Sequence, residues 1–558
     1  MITIQGMGVS AGIGMGPLHF YTRAATTAES HTAEDANEQW RRFKDAQADA
    51  MAQLDALAEK ARREVGNDAA LLFETHRMMA GDMDYEEAVK EMIREGKLCA
   101  ESAVSCAGEQ FAQMFESMDD SYMRARAADV KDVSRRILTI LCGGKPGGAV
   151  HSGVPVLLAA DDLAPSETLQ MDKTKIIGFI TAQGFAVSHT AILARAMGIP
   201  AVVGVGEQLR PEYEGRQAIV DGGAGVVIID PNEETRACMM KEQEKQRAYQ
   251  RTLTALKGKE NVTLDGQRVR VCCNIGAVED GQSVLENDGE GIGLFRSEFL
   301  YLGAKDYPSE QEQFEAYRTV LSAMEEREVI VRTCDVGADK SIGYFGLPAE
   351  ENPAMGMRAL RISLSCPDVF RTQLRALCRA SIYGNLSIMF PMVTSVWEIR
   401  EAKALVEQVK AELREEGLPC SDSIGIGAMI ETPAAALISD RLSKEVDFFS
   451  CGTNDLTQYT LACDRQNGSL NRFYDPHHLA VLRLMKMVAD NAHKSGIWVG
   501  VCGELAADEQ ILETLLAIGV DELSVSPGEV LPLRNAIRRA DMSGKRERIL
   551  GELNGEEN

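Results

Sequence analysis

The chain has 558 residues, of which 45% are hydrophobic and 26% charged, with a formal net charge of −25. That length and balance describe an ordinary globular protein of about three or four domain-sized units, each able to bury a core. The acidic excess argues against a nucleic-acid grip or an anionic membrane surface, because both need a basic footprint, and it favours a basic partner. The thirteen cysteines include no CxxC pair, so they are expected to be reduced and mostly buried. The opening run MITIQGMGVSAG has no charged segment leading into an apolar core. No apolar run reaches the ~18 residues of a membrane span. The expectation is a cytoplasmic protein that binds neither membrane nor nucleic acid.

Residues 1–20 read as glycine-punctuated strands. Gly6, Gly8 and Ala11 fit a GxGxxA dinucleotide pattern, but the chain runs on into the extended MGPLHFYT rather than opening a helix, which removes that reading. From about residue 34 to 141 the pattern turns helical: Trp40, Phe43, Leu54, Leu57, Ala61 and Val65 recur at helical spacing. CGGKPGG then breaks it. PVLLAA, KIIGFIT, AVVGV and GVVIID follow as short β-rich runs, with one helix starting near Ser188. The helical block, 25–144, therefore reads as an insertion into a small α/β domain built from 1–24 and 145–230. A charged, helix-prone stretch, 231–260, reads as a linker helix. From 261 to 558, strand and helix alternate. RVRVCCNI, GIGLFRSEF, VIVRTCDVG, LSIMFPMV, IGIGAMIETP, VDFFSCGTND, WVGVCGEL and ELSVSPG make eight strand candidates. Eight such units favour a C-terminal (β/α)8 barrel over an open doubly wound sheet. The fold class is thus multidomain α/β.

Polar residues cluster where the barrel strands end: Arg296, Arg332 with Asp335, Glu431, Asn454 with Asp455, and Cys502 with Glu504. Ends of several strands converge on one mouth, which is where barrels place their active sites. Glu431 and Asp455 are hard oxygen donors suited to one Mg²⁺ completed by substrate oxygens and water. Arg296, Arg332, Arg358 and Arg465 can supply forked donors to phosphate and carboxylate oxygens, and Asn454 can add another. A single arginine would read as a surface ion pair; together they imply a small, multiply charged phosphate ester. Cys502 can be a buried structural thiol or a general acid, and its strand-end position favours the acid. In GFAVSHTAILARAMGIP, Ser188 is placed to cap a helix whose first turn holds His189. Free N–H groups and the positive dipole end disfavour an imidazolium there and stabilise a phosphate on the ring. His189 is therefore suited to carry a phosphoryl group, although position alone also allows a plain polar residue at a helix start.

SHTAILAR, GLFRSEFLY, RTCDVGADK, ENPAMGMRALRISLS, IETPAA, CGTNDLTQYTLACDR and GVCGELAAD occur in that order along the chain. Together they resemble enzyme I of the phosphoenolpyruvate:sugar phosphotransferase system over essentially the whole length. The resemblance implies that His189 accepts the phosphoryl group of phosphoenolpyruvate and passes it to a histidine of an HPr-like phosphocarrier, with release of pyruvate. It implies that Glu431 and Asp455 hold Mg²⁺, that Arg296, Arg332, Asn454, Asp455 and Arg465 bind substrate, and that Cys502 donates the proton. It makes 1–24 with 145–230 a swivelling phosphohistidine domain hinged near 231–260. The helical insertion, with ETHRMMAGD around His76 and RARAADVKDVSRR, becomes the docking surface, and the barrel becomes the dimerising half. In one place the sequence departs from the family, which usually has Gly-Gly-Arg-Thr before Ser-His-Thr. Here the run is Gly184, Phe185, Ala186, Val187, so a glycine, a cation and a hydroxyl are missing.

Two other readings use the same residues. A Mg²⁺-dependent lyase or aldolase acting on pyruvate enolates would use the same barrel mouth but leaves His189 without a task. A regulatory binding protein that has lost transfer through Phe185–Val187 would bind substrate or partner and form no phosphohistidine. Pyruvate phosphate dikinase would need an ATP-binding domain, and neither the helical insert nor the region before it has room for one.

Overall fold

The structure, a computed structural model, describes residues 1–21, 35–64, 67–117, 121–144, 154–163, 165–171, 175–184, 189–302, 304, 306–337, 342–347 and 350–555. The chain divides into two compact units, Met1–Tyr249 and Gln250–Asn558.

The first unit is built on eight strands: β1 (Ile2–Gln5), β2 (Met7–Ser10), β3 (Ile13–Phe20), β4 (Val156–Ala160), β5 (Ile176–Thr181), β6 (Ala201–Val203), β7 (Gln217–Asp221) and β8 (Val226–Ile229). Their order across the sheet is β1-β8-β7-β3-β4-β5-β6-β2. The run β3-β4-β5-β6 is parallel, and the other neighbours are antiparallel. β3 and β4 lie side by side although more than a hundred residues separate them. Among the described residues, five helices fill that interval: Ala36–Glu64, Asn67–Ala80, Met83–Arg94, Ala100–Glu116 and Ser121–Leu141. They share a core to which Leu169 and Leu193 also contribute, and in which Phe43, Ala50, Leu54 and Ala61 form a stripe along the first helix. The helix Glu233–Thr254 that follows β8 is mostly exposed, and only Leu253 in it is buried.

The second unit is a closed barrel of eight parallel strands: β9 (Arg270–Ile275), β10 (Ile292–Arg296), β11 (Glu328–Arg332), β12 (Asn385–Phe390), β13 (Gly425–Ile430), β14 (Phe448–Cys451), β15 (Trp498–Val501) and β16 (Glu522–Val525). All eight strand candidates of the sequence are present in order. The barrel closes where β16 pairs with β9, with Glu522 opposite Arg270. Covered by helices outside and side chains inside, these strands need no alternation of polarity, and they read as continuous apolar runs for that reason. The interior holds an apolar plate of Leu294, Ile330, Met389, Met429, Phe448 and Cys502. Towards the N-terminal ends of the strands, Arg270 bonds to Glu328 and Glu522 at 2.8 Å each and lies 4.3 Å from the ring centre of Trp498.

Closure also depends on Arg534, in the helix Val530–Arg539 after the last strand. Its side chain is wholly buried. It donates to Asn261 Oδ1 at 2.8 Å, Leu256 O at 3.0 Å and Asp288 O at 2.8 Å, and pairs with the Asp288 carboxylate. The end of the barrel chain is thereby fastened to its beginning. Arg534→Met should destabilise the barrel by about 3–5 kcal/mol, because Asp288 and the two carbonyls lose a buried cationic donor. Urea unfolding of the full chain measures this, and a change within about 0.5 kcal/mol would contradict it.

Glu522 is wholly buried, and its carboxyl is pushed up to about 7, chiefly by burial, with Arg270 opposing and Glu328 adding to the rise. Between its ordinary 4.5 and about 7 the folded state therefore binds more protons than the unfolded chain. Stability from this group falls as pH rises through that window and is level above it. Glu522→Gln should remove this slope, so the variant gains on the wild type between pH 4.5 and 8 by at most ~3 kcal/mol. A stability difference that does not change with pH would show that Glu522 titrates in the ordinary range.

Candidate active site

The functional side chains of the barrel sit at the C-terminal ends of its strands. Arg296 is the last residue of β10 and Arg332 the last of β11. Glu431 directly follows β13, and Cys502 directly follows β15. Asn454 and Asp455 lie in the first turn of the helix Thr453–Leu461, after β14. Arg358 comes from the β11–β12 connection, and Arg465 from the loop beyond Thr453–Leu461. All eight line one open cavity of about 560 Å³. The eight barrel residues given a role from the sequence are thus brought together. The same wall carries Glu298, Asp335 and Glu504.

The charges alternate along the rim. Arg332 Nη2 lies 2.8 Å from Glu298 Oε1, and Arg332 Nη1 lies 3.0 Å from Asp335 Oδ2. Arg358 Nη2 reaches Asp335 Oδ1 at 3.0 Å, and Arg358 Nη1 lies 3.4 Å from Asp455 Oδ1. Arg465 Nη2 ends the series, 3.8 Å from Asp455 Oδ2. Glu298, Arg332, Asp335, Arg358 and Asp455 are all buried. Burial by itself would lower the pKa of Arg332 and Arg358, but the facing carboxylates more than offset it and hold both guanidinium groups charged.

Glu431 is buried, and its Oε1 accepts from the Met392 backbone N–H at 2.6 Å. Met392 stands at φ 55°, a left-handed conformation that a bulky residue adopts only when its surroundings impose it. Gly452 passes so close that a Cβ there would lie 2.9 Å from Glu431 Oε2, so the position admits only glycine without displacement. The Glu431 carboxyl is held well above the usual carboxylate range, first by burial and then by the charges of Asp455 and Asp335. A carboxyl whose ionisation two neighbouring acids oppose suits a cation that would relieve the repulsion. Among the described residues, no three His, Cys, Asp or Glu side chains converge as a metal cage. Glu431 and Asp455 are therefore candidates for a partial ligand set completed by water and substrate.

Cys502 is buried, and its Sγ lies 3.6 Å from Cys451 O. Burial pushes its thiol up to about 11, with a smaller opposing effect from Ser450, so at neutral pH it is protonated. Asn454 is fixed from both sides: its Nδ2 donates to Glu504 Oε1 and its Oδ1 accepts from Glu504 N, each at 3.1 Å.

His189 opens the helix His189–Met197 in the first unit, at the edge of a core that includes Ala191 and Ala194. Ser188 and Phe185–Val187 lie outside the described residues. The motif histidine His76 is not at the surface. It is buried, with Nε2 at 3.1 Å from Asp129 Oδ1 and Nδ1 at 3.6 Å from Asp132 Oδ2. The exposed large hydrophobic side chains of that region are Met78 and Met83. Among the cavity-lining groups, the sequence did not single out Glu298 for a role. Tyr459, whose hydroxyl accepts from Arg358 Nη1 at 3.0 Å, was also passed over. An acid two residues after a strand-end arginine was the available signal for Glu298. Nothing in the sequence marks Tyr459.

Residues 5–126 match the N-terminal family of phosphoenolpyruvate-utilising enzymes, residues 154–225 their mobile domain, and residues 250–542 their phosphoenolpyruvate-binding domain. A phosphoenolpyruvate-protein phosphotransferase of Priestia megaterium is 43% identical over 557 residues, covering 99% of this chain and 97% of its own length. Proteins of the same name from Bacillus subtilis (strain 168) and Listeria monocytogenes are 43% and 42% identical, covering 97% of this chain and 95% and 94% of their own lengths. With that identity along nearly its whole length, the chain belongs to the phosphoenolpyruvate-protein phosphotransferase family.

Proposed function

We propose that this protein takes the phosphoryl group of phosphoenolpyruvate onto His189 and passes it to a histidine of an HPr-like phosphocarrier, releasing pyruvate as the first step of phosphotransfer to a sugar. The observation that carries the reading is the convergence on one barrel mouth of four arginines and a protonated thiol. Those are the groups needed to hold a phosphate and a carboxylate and to protonate carbon.

The five carboxylates of the cavity wall outnumber its four arginines. On their own these groups would not favour a multiply charged anion. Glu431 and Asp455 would hold a divalent cation, which would reverse the sign, and Mg²⁺ suits a pair of hard oxygen donors with open positions. When bound, it supplies positive charge to phosphoryl and enolate oxygens. Arg296, Arg332, Arg358 and Arg465, with Asn454, hold the phosphate and carboxylate and take up charge as the phosphorus–oxygen bond breaks. The His189 imidazole, in the first turn of its helix, attacks phosphorus in line. Cys502 gives its proton to the methylene carbon of the departing enolate, and pyruvate results. His189 must therefore be delivered to the barrel mouth and then to the carrier, the task of the swivelling domain and the hinge near 231–260.

Exposed Met78 and Met83 on the helical part, together with the chain's acidic charge, support docking of a basic carrier with an apolar contact. A homodimer formed through the barrel and a cytoplasmic site of action complete the reading. Among the described residues, no helix is long and apolar enough to cross a membrane.

Incubation with labelled phosphoenolpyruvate should give acid-labile, base-stable label on the protein. That label should be absent from His189→Ala and absent without Mg²⁺. Unlabelled but folded wild-type protein would overturn the reading and favour a binding protein disabled at Phe185–Val187; turnover by His189→Ala would favour a lyase. Cys502→Ala should still bind phosphoenolpyruvate but form pyruvate about 10²-fold more slowly or worse. With stereospecifically labelled substrate, proton addition should lose its facial preference. Retained stereospecificity would assign the proton to another group.

A further inference from the structure

The turn Ser297–Leu300 that follows β10 grips the neighbouring strand end in two places. Ser297 Oγ donates to the carbonyl of Arg332 at 2.8 Å. Glu298 Oε1 accepts from Arg332 Nη2 at 2.8 Å and from the backbone N–H of Asp335 at 2.9 Å. One dipeptide thus holds the main chain of Arg332, its guanidinium, and the segment that carries Asp335. The grip is braced from outside the barrel. Gln373, buried on the helix Pro367–Ala380, donates from Nε2 to Ser297 Oγ at 3.0 Å and accepts from Cys334 N at 3.0 Å.

Glu298 is 3% exposed, and its Oε2 is buried with no hydrogen-bond partner among the described residues. A carboxylate is costly to bury and costlier to leave half satisfied. It also adds negative charge to the wall of a cavity read as an anion site. A group that only completed the core would be better replaced there by an apolar one. What the carboxylate alone supplies is a charged acceptor that serves two donors at once: one on the reactive side chain, one on the loop behind it. Without it, among the described residues, Arg332 keeps Asp335 as its one ion-pair partner, on its Nη1, and Asp335 is itself shared with Arg358. Arg332 Nε has no hydrogen-bond partner among the described residues.

The geometry points to Glu298 as a positioning residue that aims Arg332 at the bound phosphoenolpyruvate and fixes the Asp335 segment, with Ser297 as its backbone counterpart. This rests on the reading of the cavity as the phosphoenolpyruvate site. The role makes a prediction opposite in sign to the simple electrostatic one. A bystander acid in an anion pocket weakens anion binding, so removing its charge tightens binding. A positioning acid strengthens binding by ordering the arginine, so removing its charge weakens it.

The test is the Kd of phosphoenolpyruvate for the full chain in the presence of Mg²⁺, with thermal unfolding measured alongside. The wild type should bind. Glu298→Gln, with a thermal midpoint close to wild type, should bind about tenfold or more weakly, the loss of one charge-assisted contact. Equal or tighter binding by Glu298→Gln would overturn the proposal and leave the substrate site intact. A wild type that fails to bind would overturn the proposed function instead. Should Glu298→Gln not fold, Ser297→Ala removes only the hydroxyl on the Arg332 carbonyl. Weaker binding by a folded Ser297→Ala supports the two-point grip, and unchanged binding counts against it.

Discussion

The barrel mouth is held by a line of paired charges, five of them buried, that stand in place before any ligand arrives. Glu298, Arg332, Asp335, Arg358, Asp455 and Arg465 alternate in sign along it. A lone buried arginine would be too costly to keep, and burial alone lowers the pKa of each. Pairing makes burial tolerable, and burial makes the pairs strong, because the local dielectric is low. The consequence for chemistry is preorganisation: charged donors stand in place without water having to reorganise when phosphoryl oxygens gain charge. The closed barrel is the condition for this. Only strands fixed in register by their neighbours can present Arg332 and its partners from separate elements with distances near 3 Å.

Beneath the charged rim lies the apolar plate of Leu294, Ile330, Met389, Met429, Phe448 and Cys502. Beneath the plate is a second charged layer of Arg270, Glu328 and Glu522, stacked on Trp498. The layers do different work. The lower one fills the barrel where no ligand enters. The plate keeps water from reaching the mouth from below, and it holds Cys502 in surroundings where a thiolate would be poorly solvated. That explains how a thiol can sit near four arginines and still keep its proton.

Much of this was legible in the sequence because barrel strands buried on both faces leave uninterrupted apolar runs, and the polar residue that ends each run marks the mouth. FFSCGTND shows the principle: four buried residues form β14, and three polar ones open the next helix. His76 shows where the principle stops. It lies on the same face of its helix as Ala70, Phe73 and Ala80, which are all buried. A polar residue on an apolar stripe can be read as exposed or as paired inside. The answer lay in a second helix, where Asp129 and Asp132 sit among buried Val130, Val133 and Ile137. Two acids spaced three apart within an apolar stripe were the signal that His76 would have an internal partner. Glu298 stayed hidden for a related reason. In GLFRSEF the arginine draws attention as a ligand group, and the acid beside it reads as its solvent-exposed neighbour. Its real partners lie on the next strand.

Met392 belongs to neither kind. Its left-handed backbone cannot be read from PMVTS, where no glycine or asparagine announces it. The conformation turns the Met392 N–H onto Glu431 Oε1, a donor for a carboxylate that burial would otherwise leave without one. One oxygen of Glu431 is thereby committed to the backbone, and the other stays near the bare backbone of Gly452. The strain at one residue and the missing side chain at another thus serve a single end. They divide the two oxygens of one carboxylate between holding its place and facing the cavity, a division that no spacing along the chain expresses.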